Sequence, residues 1–182
     1  MAKWPAIARR IRVPLGFAFA AFFLWQARPT AFSLMLGAVI VVPGLLLRAL
    51  ASGHVQKNQR LAASGPYAYT RNPLYLGSII MAAGFAVAGR SWWIAAALAV
   101  LFTVIYLPVI RSEEDFLQRQ FPEYTQYKNR VPRLFPRLTP AVREAGTFSW
   151  ELYRKHREYN AVLGSLAVLA ALGAKLLWLG NS

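Results

Sequence analysis

Five apolar runs, each nearly free of charge, constrain this chain more than any other feature: residues 13–27, 31–47, 74–89, 91–110 and 161–180. A helix rises about 1.5 Å per residue, so about 20 apolar residues cross the hydrocarbon core of a bilayer. Composition supports the same solvent. Of 182 residues, 57% are hydrophobic and 15% are charged, whereas a soluble domain of this size needs a charged surface around its core. The sequence therefore predicts an all-α, polytopic membrane protein. It is read as a single domain over 1–182 with about five transmembrane helices and a helical cytoplasmic segment between spans four and five.

The first run follows the basic stretch MAKWPAIARRIR and superficially resembles a secretory signal. No small-x-small cleavage pattern follows it; Trp25, Gln26, Arg28 and Pro29 stand there instead, so the run is expected to be retained as span one. Pro43 cannot donate the helical hydrogen bond and is expected to kink span two, with Arg48 snorkelling at its end. The tight connector Gly89-Arg90 predicts an antiparallel hairpin of spans three and four. Gly77, Gly84 and Ala88 give the third helix a small-residue face suited to close backbone approach. Lys175 lies near enough to the end of span five to snorkel.

Twenty-one Lys and Arg face seven Asp and Glu, a net charge of +14, and the placement of the cations explains them. Eighteen precede span one, separate spans two and three, or separate spans four and five. By the positive-inside rule, the N-terminus and the polar segments at about 51–73 and 111–159 face the cytoplasm, as expected for a bacterial inner membrane. Nucleic acid is not needed to account for the basic balance; membrane lipids are the expected partners. The absence of cysteine excludes disulfides, thiolate nucleophiles and Cys-based metal sites. His54 and His156 share no ligand spacing, so no metal site is expected, and His54 reads as a loop or interface residue rather than a base. Between 111 and 160 the pattern suggests two helical pieces broken by proline turns, with Phe116, Leu117, Phe121 and Tyr124 at helical spacing. Further on, Phe148, Trp150 and Leu152 mix with cations as an interfacial helix on anionic lipid would.

Three constellations are candidates for chemistry. In KNQRLAASGPYAYTRNPLYLG, residues 57–77, Gly65-Pro66 makes a turn, Asn72 caps a helix and Pro73 takes its first position. Capping leaves Tyr67, Tyr69, Arg71 and Tyr75 crowded at the mouth of a span, where first-turn N–H groups suit an anion such as a carboxylate. The second is Arg111-Ser112-Glu113-Glu114-Asp115, three of the seven acids, one turn after Pro108, whose missing N–H frees a carbonyl and can open a cavity. It reads either as a charged helix start paired with Arg71 or Arg130, or as a site for a cationic ligand. In the third, PEYTQYKNRVP at 122–132, packing explains Tyr124 and Tyr127 as well as a site does.

Taken in order, SGPYAYTRNPLYLG, a hydrophobic hairpin and RSEEDFLQRQFPEYTQYKNRVPRLFP resemble the integral-membrane methyltransferases typified by isoprenylcysteine carboxyl methyltransferase and the phospholipid methyltransferases. The resemblance runs from about His54 to Pro136 and implies S-adenosylmethionine as cofactor, with S-adenosylhomocysteine as product. It further implies that Lys57, Gln59, Arg60, Leu61, Ala62, Tyr67, Asn72, Pro73, Leu74, Tyr75 and Glu113 contact the cofactor. Two positions depart from the prenylcysteine type: Asn72 replaces a His, and Val109 stands at a substrate-facing Arg. Arg111, two residues on, is the candidate to take that role.

The resulting expectation is methyl transfer to a lipid-borne or small hydrophobic acceptor, either a carboxylate or an amine. A carboxylate acceptor requires positioning alone, whereas an amine must first lose a proton, for which Glu114 is the nearest candidate base. Two other readings compete: an NADPH-dependent membrane protein of the sterol-reductase type, and a non-enzymatic membrane protein whose boundary residues only anchor helices. Small residues on spans three and five permit pairing between protomers, and the oligomeric state stays open.

Overall fold

A computed structural model describes residues 16–55, 60–141 and 146–180. Each apolar run is helical within these bounds: α1 Gly16–Gln26, α2 Ala31–Ser52, α3 Pro73–Gly89, α4 Trp92–Leu101, α5 Leu107–Gln120 and, at the end, α8 Tyr159–Gly180. A π-helical turn, Phe102–Tyr106, joins α4 to α5 without a break. The polar segments contribute a 3-10 turn, Gly65–Ala68, and the short helices α6 Tyr124–Arg130 and α7 Trp150–Lys155. No strand occurs among the described residues, and the fold is all-α as the apolar periodicity predicts.

Among the described residues, three helices are long and apolar enough to cross a membrane: Ala31–Ser52, Trp92–Gln120 and Tyr159–Gly180. The protein is an integral membrane protein by that measure, while Gly16–Gln26 and Pro73–Gly89 are shorter apolar helices. Two boundaries differ from the sequence reading. Helix α2 continues past residue 47 to Ser52 and holds Pro43 within an uninterrupted helix. The span beginning at Trp92 continues through the acidic cluster to Gln120, so Glu113 and Glu114 stand inside a helix rather than at its start. Pro108 cannot donate to the carbonyl one turn back, and the wider π turn lies immediately before it, where such disruptions are absorbed. Phe102 and Tyr106 stack across this turn with centroids 6.1 Å apart.

The chain forms two compact units. One comprises the described residues up to Val41, then Ala82–Asp115, then those from Leu166 onward. Its core is Phe23, Ala27, Ala88, Ile94 and Leu172, flanked by Phe85, Leu98 and Val168. The expected hairpin is present: α3 turns through Arg90, at φ 50°, and Ala88 shares this core with Ile94. Here α2 approaches α3 backbone to backbone, since a Cβ on Gly37 would lie 2.5 Å from the Gly84 carbonyl oxygen. The Ser33 hydroxyl donates to Ala88 O at 3.1 Å. Lys175 donates to the carbonyls of Leu24 and Trp25 at 2.5 and 3.0 Å, neutralising the exposed C-terminal acceptors of α1.

The other unit comprises Val42–Met81 and Phe116–Ser165. Its α2–α3 contact repeats the glycine approach, with Gly44 against Gly77 O. The polar segments condense around Ala63, Phe121, Tyr124, Tyr127 and Val131. Leu117, Phe121 and Tyr124 of the predicted stripe join this cluster, whereas Phe116 is 45% exposed. The predicted interfacial helix is reduced to the six residues of α7, whose Ser149 hydroxyl accepts from Leu152 N at 3.3 Å.

Candidate functional site

Within the second unit, the turn at 65–72 is bonded to the chain that follows α6. Tyr127 donates through its hydroxyl to Tyr67 O at 2.8 Å, a buried bond that fixes the turn on the aromatic cluster. Thr70 Oγ1 lies 3.2 and 3.1 Å from the carbonyls of Arg133 and Leu134, and the Asn72 amide donates to Arg133 O at 3.1 Å. Backbone bonds complete the lacing, from Arg71 N to Pro132 O, Arg137 N to Tyr69 O and Ala141 N to Ala68 O. Arg71 also donates to the Tyr124 hydroxyl at 3.4 Å. A turn packed in this way otherwise leaves backbone polar groups without partners, and here the segment following α6 satisfies them.

Pro73 begins α3, as its fixed φ and missing N–H predict. Backbone N–H groups in a first helical turn have no acceptor one turn earlier inside the helix, and they point toward whatever lies at the mouth. The first turn is held from the side. Arg48 Nη1 donates to Leu74 O at 3.3 Å and to Ser78 Oγ at 2.5 Å, while its Nε pairs with Glu158 at 2.5 Å. Arg48 therefore does not snorkel. It turns inward because Glu158, with 9% of its side chain exposed, supplies the opposite charge an arginine in an apolar helix needs. Sequence reasoning missed Ser78, Glu158 and Thr70; the available signal was Arg48 itself, a cation at the end of an apolar run.

Both histidines sit at the C-terminal end of α2. His54 Nδ1 lies 2.8 Å from Leu50 O, and His156 Nδ1 lies 3.1 Å from Ser52 O. The His54 ring covers Gly65, whose φ of +58° a side chain would strain, and meets Phe148 edge-on at 6.2 Å. These contacts account for His54 as an interface residue.

Of the residues expected at the cofactor, Lys57 and Gln59 lie outside the described residues. Arg60 is exposed, Ala62 is half-buried, and Leu61 packs on the aromatic cluster. Tyr67 and Pro73 are buried; Asn72, Leu74 and Tyr75 are half-buried. All of these described residues belong to the second unit. Arg111, Glu113 and Glu114 belong to the first, on α5, where Glu114 is 7% exposed on the face of Ile110 while Arg111 and Glu113 are exposed.

These features define a class: an all-helical integral membrane protein that carries a hydrogen-bonded polar segment at the mouth of one apolar helix. Residues 49–124 match the family described as phospholipid methyltransferase, PEMT, which bears out the family resemblance over this stretch. The chain is also 41% identical over 106 residues to the cobalt-zinc-cadmium resistance protein CzcN of Cupriavidus metallidurans, covering 58% of this chain and 48% of that one. Identity is again 41% over 106 residues to the nickel-cobalt-cadmium resistance protein NccN of Alcaligenes xylosoxydans xylosoxydans, covering 49% of it. The chain thus spans about half the length of these relatives. No solved structure matches it.

Proposed function

We propose that this protein is a membrane methyltransferase that moves a methyl group from S-adenosylmethionine to a lipid-borne or small hydrophobic acceptor. The observation that carries this reading is the coincidence of the family match at 49–124 with the hydrogen-bonded turn and helix mouth at 65–75. The mouth suits the cofactor's carboxylate through the first-turn N–H groups of α3, with Asn72 beside them, while the aromatic rings of Tyr67 and Tyr75 suit its sulfonium. The cofactor supplies an activated methyl on a sulfonium. Leu74 and Tyr75 would hold its amino-acid end at the helix mouth, and Arg60, Leu61 and Ala62 would line the approach. Glu113 is assigned to its amino or hydroxyl groups, as the resemblance implies.

Arg111 orients a carboxylate acceptor. For an amine acceptor, Glu114 takes the proton that the nitrogen must lose before it attacks the methyl carbon. Positioning supplies most of the rate in either case, because the transfer disperses charge instead of creating it. The cationic loops support a cytoplasmic placement of the turn, and a bacterial inner membrane is the setting proposed for it.

The test is calorimetric titration of the detergent-purified protein with S-adenosylhomocysteine and, separately, NADPH. Micromolar binding of the former, absence of heat with the latter, and at least a tenfold loss in folded Glu113→Ala are expected. Folded protein that ignores S-adenosylhomocysteine overturns the reading. Binding that survives Glu113→Ala removes that residue alone. A second reading concerns purpose and is favoured by the names of the relatives: the methyl transfer serves resistance to transition-metal ions. Under it, loss of the gene sensitises its host to cobalt or cadmium, and only a version that binds cofactor restores growth.

A further inference from the structure

The loop after α6 has an anchored base and an apolar tip. Val131 at one foot is buried in the aromatic cluster, and Ala141 at the other packs against it. Between them, Thr70, Arg71 and Asn72 hold the carbonyls of Pro132, Arg133 and Leu134. The tip faces solvent without burying its apolar side chains: Phe135 is 87% exposed and Leu138 is 100% exposed. Such groups carry a cost in water that a structural loop has no reason to bear.

Two further observations identify what covers them. First, the residues holding the base, 70–72, run directly into Pro73, where the apolar helix α3 begins. The base of the loop therefore stands beside the point where the chain passes from a polar to an apolar segment. Second, residues 124–141 contain Lys128, Arg130, Arg133 and Arg137 and no acid. Arg130 and Arg137 are exposed, and Arg137 Nη1 donates to the Arg130 backbone carbonyl at 3.2 Å, which holds the Arg137 guanidinium against the end of α6. An apolar tip ringed by guanidinium groups at the start of a membrane helix is complementary to an anionic lipid surface: hydrocarbon below, phosphates above.

We infer that residues 133–140 form a membrane-inserting loop, with Phe135 and Leu138 seated among the upper acyl chains and the arginines on anionic headgroups. The inference stands apart from the methyl-transfer reading and survives or fails without it. It places the Tyr67–Tyr75 turn, to which the loop is bonded, against the lipid surface.

The chain has no cysteine, so Leu138→Cys gives one labelling site for an environment-sensitive fluorophore. Gln126→Cys, exposed on α6, is the control, and Phe135→Cys repeats the measurement from a second position. Each labelled protein is placed in nanodiscs of phosphatidylcholine, with and without phosphatidylglycerol, containing lipid spin-labelled near the top of the acyl chain. Quenching several-fold greater at 138 and 135 than at 126, and stronger with phosphatidylglycerol, is expected. Equal quenching at loop and control sites overturns the inference and leaves the tip to a protein partner. Quenching that ignores phosphatidylglycerol overturns the anionic assignment.

Discussion

Arg48 and Glu158 are 110 positions apart, and their pairing shows how much a single contact carries in this molecule. The guanidinium keeps 24% of its side chain exposed and the carboxylate 9%, so each is largely removed from water and depends on the other. Deleting one partner leaves an uncompensated charge, whereas replacing both by apolar groups removes the need for compensation. Glu158→Ala is expected to lower stability by about 3 kcal/mol. The double variant Arg48→Met with Glu158→Leu should recover most of that loss, as followed by thermal unfolding in detergent. Equal losses in the single and double variants would show that the pair contributes only packing. The sequence announced Arg48 as a cation at the end of an apolar run, and its partner was not legible because nothing local ties 158 to 48. Tyr127 and Tyr67 illustrate the same limit: both tyrosines stood out by type, while the bond between hydroxyl and carbonyl is created by tertiary packing.

Among the elements, α2 and α3 meet at glycines within each unit, Gly37 on Gly84 in one and Gly44 on Gly77 in the other. A Cβ on Gly84 would lie 2.8 Å from Gly37 O and 2.8 Å from Val41 Cγ2, and a backbone oxygen cannot swing aside. Gly84→Val is therefore expected to destabilise by about 1–3 kcal/mol. Gly164, with nothing within 4 Å of its would-be Cβ, gives the opposite sign. Gly164→Ala should gain about 0.5–1 kcal/mol of helix stability. Melting curves of the two variants beside the parent decide both, and similar shifts would deny the seam its role. The small face of α3 was readable from Gly77, Gly84 and Ala88, but spacing says only that some backbone approaches. That α2 is the partner follows from Gly37 and Gly44 facing it. Pro108 likewise announced a disturbance in the fourth span, and its form, a π turn that lets the helix run on to Gln120, depends on packing the pattern does not encode.

For the whole molecule, the question is how often the chain crosses the bilayer, since α1 and α3 are shorter than the other apolar helices. The helix ends offer an argument that length does not. In one unit, Arg28 N, just after α1, donates to Gly89 O at the end of α3, and Lys175 near the end of α8 reaches the end of α1. Ser33, at the start of α2, bonds Ala88 near the end of α3. In the other unit, Arg48 near the end of α2 joins Leu74 at the start of α3 and Glu158 just before α8. Helices α1, α3 and α8 thus run one way and α2 the other, the parity that alternating crossings produce. By sequence, 18 of the 21 cations precede span one or fall between spans two and three or four and five, and the positive-inside rule predicts a cytoplasmic side for those segments. Single cysteines in this cysteine-free chain report the outcome. A membrane-impermeant maleimide added to intact spheroplasts should label Ser91→Cys, between α3 and α4, and should reach Gln126→Cys, exposed on α6, only after the membrane is opened. The reverse pattern would invert the protein. Protection of both sites would mean that Pro73–Gly89 enters the bilayer and returns without crossing it, which would break the alternation of crossings that the helix ends suggest.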